Sequence, residues 1–160
     1  MVSVVYESQG GSSKRYALAL ASRIGCGCYS LRNSGDVLGG GSEIIFVGWR
    51  SGPYITGLDT AMKDHVVIAA VCVGLEQYSD KDMDLIKNKN RIGNLFYVRG
   101  AMDRSKLNRK QKLILGIVSI KMLLFNRSPE DRMVRDVMDN GGDLSSEDQL
   151  DPVIGWYGTH

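Results

Sequence analysis

An α/β three-layer sandwich is the fold this sequence predicts: five parallel strands between helices, with a helical insert after the last strand. Three observations predict it. Short β-branched and apolar runs alternate with segments of helical periodicity, the pattern of βαβ units. The runs Glu43–Gly48 and His65–Val73 are continuously apolar after their first residue, as in strands covered on both faces. A chain of 160 residues has room for one domain with a packed core, and suits five strands better than a barrel of eight.

Each element has its own signal. Val2–Tyr6 is a β-branched first strand. Ala17, Leu20, Ala21 and Ile24 recur at helical spacing, and Gly25 is a stop signal. Cys26–Leu31 reads as a second strand. Residues 32–42 are polar and Gly-rich, which leaves the second helix short or absent. Glu43–Gly48 is the third strand, followed by a helix near Ile55–Lys63 with Ile55, Leu58 and Met62 on one face. His65–Val73 is the fourth. A weak helix around Asp80–Ile86 leads to the fifth, Asn94–Arg99. Residues 107–125 form a long apolar helix. Ser128-Pro129-Glu130-Asp131 then reads as N-cap, N1 proline and acidic first turn of another. Asn140-Gly141-Gly142 ends that helix, and Ser145–Tyr157 makes a last one.

Composition narrows the function classes. At 43% hydrophobic and 24% charged, the chain is neither a disordered segment, a collagen nor a disulfide scaffold. The N-terminus MVSVVYES lacks the features of a signal peptide, and three cysteines are an odd number. The expected setting is cytoplasmic, with Cys26, Cys28 and Cys72 as small apolar side chains. No metal is expected, since only two His are present; His65 reads as structural. The net charge of +2 hides an uneven distribution. Residues 81–135 carry fourteen Lys and Arg against five Asp and Glu, while residues 136–160 carry six acids and no base. A basic segment of this kind points to an anionic partner.

The most informative loop is Ser8-Gln9-Gly10-Gly11-Ser12-Ser13. It joins the first strand directly to the first helix, where unpaired backbone N–H groups and the helix dipole favour an anion. Gly10 and Gly11 permit close backbone approach, and the three serines add hydroxyl donors. The spacing is neither that of a Walker A loop nor Gly-x-Gly-x-x-Gly. Position in the α/β pattern favours a phosphate site over a plain capped turn.

The opening VVYESQGGSSKRYALALASRIG resembles the phosphate-loop segment of flavodoxins, Ser/Thr-x-Thr-Gly-x-Thr, with Ser8, Gly11 and Ser13 in matching places and Gly10 for the middle Thr. IIFVGWRSGPYITGL and NLFYVRGAMDRSKLNRKQKL resemble the branch of flavodoxin-like domains that includes the small menaquinone-dependent protoporphyrinogen oxidases. The resemblance implies a flavodoxin-like sandwich of strand order 2-1-3-4-5 with FMN as cofactor. FMN would lie at the carboxyl ends of strands one, three and four. Its phosphate would meet Ser8, Gln9, Gly10, Gly11, Ser12 and Ser13. Its ring would lie among Gly48, Trp49, Arg50, Ser51, Gly52, Pro53 and Tyr54, and among Gly74, Leu75, Glu76, Gln77 and Tyr78. Trp49 and Tyr54 offer faces for stacking, and Tyr78 a cover for the other side. Gly48, Gly52 and Gly74 would let backbone amides reach the ring edge. The catalysis would be the flavin's own.

The insert raises a second question. Arg99, Arg104, Lys106, Arg109, Lys110 and Lys112 precede an apolar run, Leu113–Phe125. That run spans about 20 Å as a helix, too short to cross the roughly 30 Å core of a bilayer. It suits a helix buried on the sheet, a homo-oligomer face, or a peripheral contact of residues 104–125 with the inner face of a membrane. The basic side chains would meet lipid or the propionates of a substrate. Nucleic acid is not expected, because interleaved aromatics and reader motifs are absent. The function expected is FMN-dependent electron transfer with a redox partner protein or a quinone. The alternatives are an oxidase of the protoporphyrinogen type with a quinone acceptor, and a flavin-free interaction module on the same fold.

Overall fold

The computed structural model describes residues 1–125 and 128–160. The chain runs β1 (Ser3–Tyr6), α1 (Ser12–Ile24), β2 (Cys28–Ser30), α2 (Leu31–Leu38), β3 (Glu43–Ser51), β4 (Tyr54–Ile55), α3 (Leu58–Asp64), β5 (Val66–Gly74), α4 (Asp80–Asn90) and β6 (Leu95–Arg99). Then follow β7 (Ala101–Met102), α5 (Arg109–Phe125), α6 (Pro129–Asn140), β8 (Gly142–Asp143) and α7 (Asp151–Gly158).

Five strands pair in parallel in the order β2-β1-β3-β5-β6. Counting those strands alone, this is the order 2-1-3-4-5 of flavodoxins, and the fold is a flavodoxin-like three-layer sandwich. β4 adds an antiparallel hairpin to the end of β3, with Arg50 opposite Ile55. β7 and β8 form a separate two-stranded ribbon.

The central strands are apolar on both sides because both sides are covered. Val4, Ile45, Val47 and Val71 pack with Tyr16, Ala17 and Leu20 of α1 and Val153 of α7. Val5, Ile44, Phe46, Ala70 and Cys72 face the other way, onto Leu58 and Ala61 of α3 and Ile86 of α4. The period of two along each strand assigns neighbours to opposite cores.

Four expectations about elements change. The second helix is the short one of the two alternatives, but it takes Leu31 from the expected strand: α2 runs Leu31–Leu38, and both ends pack on the second core. That burial outweighs the weak helix propensity of Asn33, Ser34 and Gly35. Ile55 belongs to the β3–β4 hairpin, so α3 starts only at Leu58. α4 continues to Asn90, started by a reciprocal capping box between Ser79 and Asp82. The last helix starts at Asp151 after a 3₁₀ turn, Glu147–Leu150. Pro152 sits in its first turn, where a missing N–H costs nothing. Ser128, Pro129 and Asp131 start α6 as expected, with a capping box.

The insert is a hairpin of helices. α5 meets α6 through a small cluster of Met122, Val134 and Met138, with Leu75, Leu115 and Val118 at its edge. This cluster is distinct from the two cores on the sheet. Among the described residues, no helix is long and apolar enough to cross a membrane.

Candidate functional site

A cleft of about 690 Å³ opens at the carboxyl end of the sheet. Segments following β1, β3, β5 and β6 supply its floor, and α5 with the turn before it supplies one wall. Its volume lies in the range of small-molecule and cofactor sites.

The first loop ends in α1. Gly11 is the N-cap, in the left-handed region at φ +97°, with no side-chain cap for the helix and no acid in its first turn. Ser8 Oγ accepts from Gly11 N at 3.1 Å, which folds the loop back on itself. Ser12 Oγ instead accepts from Ala101 N at 2.9 Å, tying the loop to β7. The first N–H groups of α1 have no partner within the helix, and no acceptor side chain takes them. Here the serines do not act as the cap of a plain turn. The loop is a cradle of donors with a positive dipole end.

The insert closes over this cradle. Lys106 Nζ donates to Gly10 O at 3.2 Å. The side-chain amides of Gln9 and Gln111 exchange two hydrogen bonds, each 2.9 Å. A cation from residue 106 therefore stands beside the uncapped N-terminus of α1 and the loop 8–13. Its reach to Gly10 depends on the turn Arg104–Lys106, and only the basic run was visible in advance.

The opposite wall is Trp49–Gly52. Gly52, at φ +59°, and Pro53 form the two-residue turn of the β3–β4 hairpin. Arg50 Nε donates to Gly52 O at 2.9 Å, and its guanidinium lies 3.7 Å from both Glu76 and Asp82. These contacts fix the wall. Behind it the Tyr97 hydroxyl stands over Gly74, where a Cβ would collide with it. Trp49 Nε1, Arg50 Nη1 and Tyr97 OH are buried polar atoms without a hydrogen-bond partner. Burial, reinforced by nearby Cys72, pushes the Tyr97 phenol up to about 12, and burial pushes the Cys72 thiol up to about 12. Both stay neutral near pH 7.

The cleft lining includes Ser8, Gln9, Gly10, Ser12, Ser13, Trp49, Arg50, Ser51, Gly52, Gly74, Leu75 and Glu76 of the expected ring and phosphate residues, together with Lys106 and Lys110. The other expected residues lie outside this lining. Gly11 shapes the loop but is not part of the lining. Gly48 lies inside β3, where a Cβ would meet Phe46, Ile55 and the Thr56 carbonyl; it lets the hairpin fold back. Tyr54 is on the exposed outer strand of that hairpin, and Pro53 is at its tip. Tyr78 packs on Tyr97, with ring centroids 5.1 Å apart, and Gln77 beside it is exposed; neither lines the cleft. Arg99 pairs with Glu130 at 2.6 Å and donates to Leu75 O, while Arg104 donates to Met138 O at 2.5 Å. Arg99 braces the insert against the body, and Arg104 ties the turn before α5 to α6. Arg109 and Lys112 are exposed on α5, outside the lining. His65 is buried, with Nε2 3.0 Å from Ser34 Oγ.

Sequence reasoning missed the apolar wall. Met102, Leu107, Ile114, Leu115, Val118 and Met138 all line the cleft. The apolar run was the available signal, but nothing local tied it to the loop at residue 10.

Fold and cleft together define a flavodoxin-like α/β protein with a cleft beside the uncapped N-terminus of its first helix. Comparison with protein-family models finds no match, and neither does comparison with curated proteins. Among solved structures, the Trp repressor binding protein from Bacillus subtilis is similar at 11% identity and a TM-score of 0.43, over 80% of this chain and all of that one.

Proposed function

We propose that this chain binds FMN and serves in electron transfer. The observation that carries the reading is the α1 N-terminus, left without a side-chain cap and opening into a cleft at the carboxyl ends of β1, β3 and β5. The residues present fit the group. The cradle of 8–13 suits a phosphate, with Lys106 as its counter-charge. Trp49 offers a face to a flat ring, and the indole N–H and Tyr97 hydroxyl are unpaired donors behind that wall. Bound flavin would supply the redox chemistry. The chain's part is to anchor the phosphate, hold the ring against the β3–β4 hairpin and screen it from water with the α5 wall.

Gly10→Asp tests this reading. A Cβ at Gly10 meets nothing within 4 Å, so the carboxylate fits. It would occupy the anion site and face the positive end of α1. Titration of the apoprotein with FMN, followed by flavin fluorescence, should show tight binding that the variant weakens at least about tenfold. The thermal stability of the apoprotein should hold or rise. Wild-type protein that stays colourless and does not quench flavin would favour the flavin-free interaction module.

A second reading has its own support. The cleft has an apolar wall beside Lys106 and Lys110, a pairing suited to an amphiphilic anion. An oxidase acting on a porphyrinogen with a quinone acceptor would use such a wall. Oxidation of protoporphyrinogen with menaquinone as acceptor measures it directly, and no turnover would leave the carrier role.

A further inference from the structure

We infer that the outer face of α5 docks onto an anionic membrane surface. The helix is 17 residues long and contains no acid. One side packs on α6 through Met122, with Leu115 and Val118 alongside. The other side carries Leu113, Ile117, Ile120 and Leu124, exposed by 66%, 50%, 59% and 58%. At about 100° per residue these four fall within a stripe roughly 60° wide. Ile114 and Phe125, also exposed, widen it on one side. A monomer in water rarely leaves so many large apolar side chains together on one element.

Charge decides what covers this face. Lys110 and Lys121 lie on the same side as the stripe by the same helical arithmetic, and Arg109 borders it. Residues 104–125 contain six Lys and Arg and no Asp or Glu. The acids of α6 are already engaged: Glu130 with Arg99, Asp131 in the capping box, Asp136 accepting from Asn140, Asp139 beside Arg135. A second copy of this face would bring like charges together across the contact. An anionic headgroup layer satisfies both features, since lysines extend to the phosphates while the stripe enters the acyl boundary. At about 25 Å the helix is too short to span and is suited to lie in the interface.

Ile114 belongs to both the stripe and the cleft wall. The docked face therefore adjoins the cleft, and docking does not depend on which cofactor the cleft holds.

Flotation of the purified full-length protein with lipid vesicles tests the inference. Vesicles of equal parts phosphatidylglycerol and phosphatidylcholine should carry the protein up, and pure phosphatidylcholine should do so far less. Each basic residue near the surface is worth about fivefold in partitioning, so Lys110→Glu with Lys121→Glu should cut binding at least about tenfold. Ile117→Glu with Ile120→Glu should abolish it while the melting temperature stays that of the wild type. Protein that remains below the vesicles overturns the inference. So does equal binding by both variants. A stable homodimer in sedimentation, split by Ile117→Glu with Ile120→Glu and indifferent to vesicles, would make a second copy the occupant.

Discussion

α1 and α5 are both amphiphilic by composition, yet the protein treats them differently. α1 is polar on average along its 13 residues but buries Tyr16, Ala17, Leu20 and Ala21 on the sheet. α5 is longer and more apolar, and among its 17 residues only Ser119 and Met122 are buried. Apolar content therefore does not decide burial. The partner surface does. α1 faces a sheet several strands wide, whereas α5 has one 12-residue helix to lean on. Val134 and Met138 of α6 cover one side of α5 and leave the rest. The body is held by two cores, and the insert by a satellite of a few side chains.

Three substitutions would break or sharpen this contrast. Phe46→Ala removes a wholly buried ring from the second core and should cost about 3–5 kcal/mol, read as a lower denaturant midpoint for the whole chain. A cost under about 1 kcal/mol would mean that the sheet is not the stability centre. Met122→Ala should cost about 2 kcal/mol, spent mostly on local opening. Amide hydrogen exchange should then lose protection in α5 and α6 but keep it in β3 and β5. Loss in both places would show that insert and body unfold together. Ile117→Ala should change stability by less than about 0.5 kcal/mol, because that side chain is half exposed and touches no core. A larger loss would mean the stripe is already covered in solution.

Much of the fold was legible in the residues. β3 and β5 announce themselves because strands in a parallel sheet are apolar on both faces. The start of α6 was legible because capping chemistry is local, needing only Ser128, Pro129 and Asp131. α2 was legible only as a short helix or none, because Leu31 and Leu38 are held by a distant core while the intervening residues speak for a loop. The β3–β4 hairpin was hidden. Its cause is Gly48, whose missing Cβ admits Ile55 and the Thr56 carbonyl, a contact no spacing rule displays.

The candidate site divides in the same way. The donor cradle of 8–13 was visible from its place between strand and helix. Tyr78, expected over the ring, packs on Tyr97, a contact between segments about twenty residues apart that its local sequence does not display. Lys106 was expected toward lipid or substrate and stands on Gly10.

By itself the sequence determined the layers and the anion-favouring loop. Alternation, apolar runs and helix caps act over a few residues, and their energies need no distant partner. Only the tertiary structure decided what meets that loop and which helix stays uncovered. The Lys106–Gly10 and Gln9–Gln111 contacts join residues about a hundred positions apart. The bare face of α5 is set by how little surface α6 can offer it.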